Sequence, residues 1–301
     1  MLSAEADRFR SAGISPQPVR KDALGTIART LALAVALAGV PYTAPAFAQS
    51  TPQIGQVSRD SVWVPTPERM IRRMLQLADV TARDLVIDLG SGDGRIPIYA
   101  ARHFGARAVG VELEENLIRV SEAAAQAQGV SHLARFIRQD LFEADLSRAT
   151  VIALYISPGV MTRLKPRLLA LRPGTRVVSH HFTLEDWAPD EVIRTEGRSG
   201  YLWVVPADVR GSWSVDVPGN ALRIHIEQVH QALTTQGERS GKPVNVIGAS
   251  LRGTEIRFTS FDTDGAARHF RGMLQEGRMA GESEGYDTPA LRWHAARDRP
   301  M

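Results

Sequence analysis

The 301-residue chain contains no cysteine. Its absence excludes Cys-ligated zinc, iron–sulfur clusters and thiol catalysis, and leaves the redox compartment open. The histidines show no metal-ligand spacing, so no metal is expected. No block of lysine and arginine is interleaved with aromatics, so no nucleic-acid partner is expected. The Gly-Lys-Ser/Thr ending of a P-loop is missing as well. The longest apolar run, 31–40, is only ten residues, too short to span a bilayer. Net charge is a modest +3, and the first 48 residues carry much of it, with five basic side chains against three acidic ones. What remains is ordinary globular material, 44% hydrophobic and 23% charged, long enough for two domains with cores of their own.

Residues 1–48 read as a secretory signal peptide. Arg20, Lys21 and Arg29 supply a basic region, the run 31–40 is apolar, Pro41 breaks it, and Ala46-Phe47-Ala48 fits a small-x-small cleavage site. There is no Arg-Arg pair in this leader for a twin-arginine route. The stretch before Arg20 is long for such a leader, which suggests a start nearer Val19 or Leu24. Three locations stay open: export to a periplasm, anchoring at a membrane by an uncleaved leader, or the cytoplasm if the start is misassigned. Residues 49–62 are polar and turn-rich and read as a linker.

From Val64-Pro65-Thr66-Pro67 onward the pattern becomes regular. Thr66 is the expected cap of a helix opened by Pro67, with Met70, Ile71, Met74, Leu75, Leu77 and Ala78 on one face. Strands then alternate with helices. Strands are expected at 85–87, 108–111, 135–137, 151–156 and 175–179, and helices at 95–104, 114–128 and 160–171. Short apolar strands alternating with helices imply a parallel sheet covered on both faces. A hairpin around Arg198-Ser199-Gly200 would close it. From Trp213 the helical signals stop, and short alternating runs at 213–217, 221–227, 244–251, 254–261, 267–274 and 290–296 take over, with residues 281–289 reading as a flexible loop. The expected fold class is α/β, a doubly wound, mostly parallel Rossmann-like sheet over 63–207, with a second, small antiparallel β domain over 212–298. Trp187, Trp203, Trp213 and Trp293 are expected to pack, and His225, His230 and His269 to lie on strands or the surface.

The segment Asp88-Leu89-Gly90-Ser91-Gly92-Asp93-Gly94 sits between the first strand and the next helix. Glycines there permit positive φ and close approach of a ligand, and the helix start favours an anionic group. Asp88, Glu112 and Asp140 each follow or end one of the first three strands, at the sheet edge where ligands of such folds bind. Arg95 follows Gly94, so the glycine spacing is wrong for a dinucleotide fingerprint.

These residues resemble the cofactor motifs of class I S-adenosylmethionine-dependent methyltransferases. The resemblance implies that Gly90, Gly92 and Gly94 meet the methionine half of the cofactor, Glu112 the ribose and Asp140 the adenine, with Asp88, Ser91 and Asp93 as neighbouring polar contacts. Together with Val64-Pro65-Thr66-Pro67, Asp140-Leu141-Phe142, Asp145-Leu146-Ser147 and the run from Pro173 to His180, they are similar to the small mitochondrial protein-lysine methyltransferases. Members of that family act on the adenine nucleotide carrier and on a membrane subunit of ATP synthase. The likeness covers roughly residues 62–190 and implies a protein substrate methylated on lysine. The Asp/Asn-Pro-Pro-aromatic motif of enzymes that methylate adenine or cytosine is absent; Tyr155-Ile156-Ser157-Pro158 stands there instead. Tyr155 is the candidate to orient the acceptor, and His180, beside His181, the candidate to take its proton. A small-molecule or lipid methyltransferase, and a non-catalytic cofactor-binding module, stay open as alternatives.

Overall fold

The structure, a computed structural model, describes residues 64–219, 221–261, 265–285 and 288–298. The leader, the linker, Asn220 and the turn 262–264 lie outside the described residues.

Helix α1 (Glu68–Leu77) buries Met70, Ile71, Met74 and Leu75. Its cap is Pro67, not Thr66: the Thr66 hydroxyl is engaged with Nδ1 of His180, 3.2 Å away. The alternating part then runs β1 (Leu85–Leu89), α2 (Arg95–Phe104), β2 (Arg107–Glu112), α3 (Glu115–Ala127), β3 (Ala134–Arg138), β4 (Val151–Leu154), α4 (Pro158–Leu169) and β5 (Arg176–His180). A hairpin of β6 (Glu191–Thr195) and β7 (Arg198–Val204) completes a seven-stranded sheet in the order β3-β2-β1-β4-β5-β7-β6. The first five strands are parallel, and β7 lies antiparallel to both β5 and β6. The order reverses at β1, which puts a crevice at the carboxyl ends of β1, β2 and β4.

Alternation along the strands feeds two cores. Ile87, Leu89, Ile152, Leu154 and Val177 face α4, Trp187 and Trp203 on one side. Val86, Val151, Ala153 and Val178 face α1 and α2 on the other. The β6–β7 turn differs from the expected one. Glu196 and Gly197, with φ of 50° and 73°, make the tight turn, and Arg198-Ser199-Gly200 is already strand. A two-residue turn with positive φ at both positions follows the strand twist, which the polar tripeptide beside it does not need to supply.

The second sheet has nine antiparallel strands: β8 (Gly211–Asp216), β9 (Leu222–Val229), β10 (Ala232–Arg239), β11 (Lys242–Val244), β12 (Val246–Arg252), β13 (Glu255–Phe261), β14 (Ala267–Gln275), β15 (Arg278–Gly285) and β16 (Thr288–Arg297). The last strand pairs with the first, Ala295 opposite Val215. Trp213, Phe258, Phe270 and Trp293 fill its core. Three strands escaped the sequence reading. β10 has only a half-buried face, β11 is three residues long, and β15 is rich in Gly, Ser and Glu and is held by pairing to β14 and β16. The supposed loop 281–289 is therefore strand through Gly285 and again from Thr288. Its glycine is required for packing: a Cβ on Gly281 would lie 2.0 Å from the Arg271 carbonyl oxygen, and one on Gly272 would lie 2.4 Å from Trp293.

Candidate functional site

A cleft opens at the crevice. Asp88, Gly90, Ser91, Gly92, Asp93, Glu112, Asp140 and Tyr155 all line it. Eight of the ten residues singled out in the sequence thus meet at one place. Gly94 and His180 are not among its lining residues.

The glycine loop is held in shape by the protein itself. Gly90, Gly92 and Gly94 have φ of 78°, 55° and 76°. The amides of Gly90 and Ser91 both donate to the Val111 carbonyl, at 2.9 and 3.0 Å. Gly92 N–H donates to Glu112 Oε2 at 2.8 Å, and Gly94 N–H to the Ser91 carbonyl at 2.9 Å. Four amides of the loop thus have internal partners. What the loop offers is close approach and a buried Ser91 hydroxyl with no hydrogen-bond partner among the described residues.

Glu112 is the hub. Its Oε1 accepts from the amides of Leu113 and Glu114, at 2.8 and 3.1 Å, while Oε2 holds Gly92. An ionised carboxylate has about four acceptor positions, so one remains for a hydroxyl in the cleft. Asp140 accepts from the Phe142 amide at 2.8 Å and keeps its second oxygen. Asp88 is fully enclosed, and burial, with the negative charges of Glu112 and Asp93 next to it, pushes its carboxyl well above the usual range. Asp93 forms a two-pronged pair with Arg95 (2.6 and 2.9 Å), and Arg95 Nη1 reaches the Thr66 carbonyl at 3.0 Å. That contact draws Val64, Pro65 and Thr66 across the cleft wall. Sequence reasoning missed Arg95 and Thr66 as site residues, because the contact joins positions 29 apart. Gln139 and Leu141 also line the cleft, and their place next to Asp140 was the one signal for them.

Tyr155 leaves the end of β4 and lines the cleft. Its ring lies 4.1 Å from that of His180, centroid to centroid, and 6.2 Å from that of Phe182. His180 is buried, and burial together with the charges of His181 and Arg198 lowers its pKa to about 4. A neutral imidazole of that basicity is a poor acceptor for a proton from a lysine ammonium, whose ordinary pKa is about 10.4. Its ring packs against that of Tyr155. The depressed pKa also fixes a sign. Below the unfolded value of about 6.5 the unfolded chain binds a proton that the native chain refuses, so this stability is present above pH 6.5 and is lost as pH falls towards 4. His180→Phe should therefore show a shallower loss of urea midpoint between pH 7 and 5 than the native chain; identical slopes would mean that His180 is not held neutral.

Residues 88–191 match the family model of the ANTKMT methyltransferase domain. A protein-lysine N-methyltransferase of Saccharolobus islandicus is 45% identical over 149 residues, covering 48% of this chain and 92% of that protein. A lysine N-methyltransferase of Xenopus laevis, named for a subunit of ATP synthase, is 32% identical over 171 residues, covering 56% of this chain and 70% of that one. Among solved structures, an RNA methyltransferase from Salinibacter ruber in complex with S-adenosyl-L-homocysteine is 49% identical, covers 48% of this chain and 96% of its own, and superposes with a TM-score of 0.48.

Proposed function

The chain belongs to the protein-lysine N-methyltransferase family, and from that premise we propose that it methylates a lysine of a protein at the face of Tyr155 that borders the cleft. S-adenosylmethionine is its cofactor and, when bound, supplies a methyl group on a sulfonium with its own leaving group. The observation that carries the reading is the pre-shaped loop, locked by Glu112 through the Gly92 amide and opening beside Tyr155. Glu112 takes a ribose hydroxyl, Asp140 the adenine edge, and Gly90, Ser91 and Gly92 pass the methionine half. Asp88, buried in β1, stands at the loop's root. Tyr155 orients the acceptor amine by its ring face or hydroxyl. The amine enters neutral, which burial favours.

A protein acceptor of the ATP synthase type is supported by the Xenopus laevis relative's name. The test is tritium transfer from labelled S-adenosylmethionine into a fractionated envelope extract of the source cell, with the product identified by mass spectrometry. Label in protein lysine is expected; label in RNA, lipid or a small metabolite, with none in lysine, would defeat the lysine reading.

We also propose 63–207 and 212–298 as separate domains. Their cores share no residue: the clusters under the first sheet draw on residues up to Val205, and that of the second begins at Val209. A 49–207 fragment should stay soluble and still bind cofactor in calorimetry, and an unfolded circular dichroism spectrum would refute the boundary. Residues 1–48 we read as directing the chain to or across a membrane, on their basic, apolar and small-residue order. Protease accessibility in intact spheroplasts tests this, and full protection inside the cell would exclude export.

A further inference from the structure

The segment 181–190, between β5 and β6, forms a layer behind Tyr155; its residues back the acceptor wall and do not themselves line the cleft. Its inner end carries Phe182 against the Tyr155 ring. It is a strained stretch, with His181 and Glu185 both in the left-handed region at φ of 73° and 54°, and the Phe182 amide bonded back to the His180 carbonyl at 2.9 Å. A loop of that kind keeps its shape only when neighbours over-determine it.

Three neighbours do so. The first is β7, whose Trp203 Nε1 donates to the Trp187 carbonyl and whose Val204 amide donates to Asp190 Oδ2, both at 2.7 Å. The second is α4, whose Lys165 Nζ donates to both Glu185 and Asp186. The third is the turn between β9 and β10 of the second sheet. His230 Nε2 lies 3.3 Å from Asp186 Oδ2, and its ring lies 5.9 Å from that of buried Trp187. Gln231 Nε2 donates to the Ala188 carbonyl at 2.6 Å. The turn is itself tied back: Gln228 Nε2 donates to the carbonyls of His230 and Ala207, and its Oε1 accepts from the Val209 amide. The second sheet therefore reaches the segment behind Tyr155 through this turn, and Arg252 of β12 adds an ion pair to Glu191 just beyond it. Among the described residues, those expected to hold the cofactor, Gly90 to Asp93, Glu112 and Asp140, have no hydrogen bond to that turn.

We infer that the β9–β10 turn braces the acceptor wall, so that His230 and Gln231 are positioning residues that set recognition of the acceptor protein and leave cofactor binding alone. The inference rests on the reading of Tyr155 as the acceptor side. It gives the second domain a part in the reaction cycle that a passive appendage lacks. Asp186 and Glu185 stand exposed on this segment, paired to Lys165, and His230 adds a contact that fixes which way Asp186 points.

The test compares the full chain with the His230→Ala/Gln231→Ala double variant. Three quantities are read: S-adenosylmethionine affinity by calorimetry, amide exchange over 181–188, and methyl transfer into a dilution series of the same detergent-solubilised envelope extract. Losing two hydrogen bonds at a wall should raise the apparent KM for the extract by about fivefold or more, leave the limiting rate within about twofold, and speed exchange at 181–188 by about tenfold. Cofactor affinity should be unchanged. His230→Gln, which keeps a side-chain N–H near Asp186, should recover much of the KM. An unchanged KM despite faster exchange would overturn the inference. A fall in cofactor affinity alongside the KM would do the same, because it would show a global effect. If the native chain itself bound no S-adenosylmethionine, the proposed function would fail instead, and that result is distinct from both.

Discussion

Glu112→Ala should weaken S-adenosylmethionine binding by about a hundredfold while the chain stays folded. The carboxylate does two things at once. It keeps an acceptor position for a ribose hydroxyl, and a hydrogen bond to a charged group contributes about 1.5–3 kcal/mol. It also holds the Gly92, Leu113 and Glu114 amides, so its removal frees the loop that the cofactor must lie against. Each 1.4 kcal/mol is about tenfold in affinity, so the direct bond and the loosened loop together reach about two decades. The freed amides border an open cleft and can turn to water, which spares the fold. Gly92→Val should give a comparable loss by another route, since a β-branched residue at φ of 55° distorts the loop and places methyl groups beside the cleft. Calorimetry with a parallel melt decides both, and native affinity in either variant would overturn the site assignment.

Gly94→Ala should instead destabilise the fold by about 2–5 kcal/mol. The sequence reading grouped Gly94 with the cofactor glycines, but the structure sets it against protein. At φ of 76°, its added Cβ would lie 2.6 Å from the Phe136 ring and 2.7 Å from Ser121 Cβ. A left-handed alanine costs about 1–2 kcal/mol and overpacking about 1–3 more. Ser121 has little room to yield, because its hydroxyl is bonded to the Gly92 and Leu117 carbonyls at 3.0 and 2.8 Å. A second change, Phe136→Ala, should relieve part of the clash, making the pair less destabilised than the sum of the singles. Urea melts read this directly. Unchanged stability with lost cofactor binding would return Gly94 to the ligand-contacting set.

These two glycines show where sequence reasoning stops. Gly92 and Gly94 are two residues apart and serve the same pattern, yet one faces a cleft and the other a phenylalanine from β3. Local pattern can place a glycine loop at a strand end, but it cannot say which side each glycine turns. The same limit explains Arg95, whose neighbour Asp93 was visible and whose distant partner Thr66 was not. The parallel sheet was legible because apolar strands and amphipathic helices carry their own periods. β10, with the sequence ALTTQGER, carries none and is a strand because β9 and β11 lie beside it. The order of acids at the ends of β1, β2 and β3 was legible for the opposite reason: each is fixed by its own strand.

The pairing of β16 with β8 has a consequence for how the chain is made. The first sheet is complete once Val204 has emerged, and its contacts are drawn from strands joined by short crossovers. The second cannot close until Arg297 meets Trp213, its far end. During synthesis the first sheet can thus settle while β8 still waits with one edge unpaired, and contacts between distant segments form slowly. Until the last strand arrives, that edge is a template for any extended chain nearby. Strand β16 is therefore the clasp of the second domain, and a ribosome halted just before it would release a chain with a finished cleft and an open sheet.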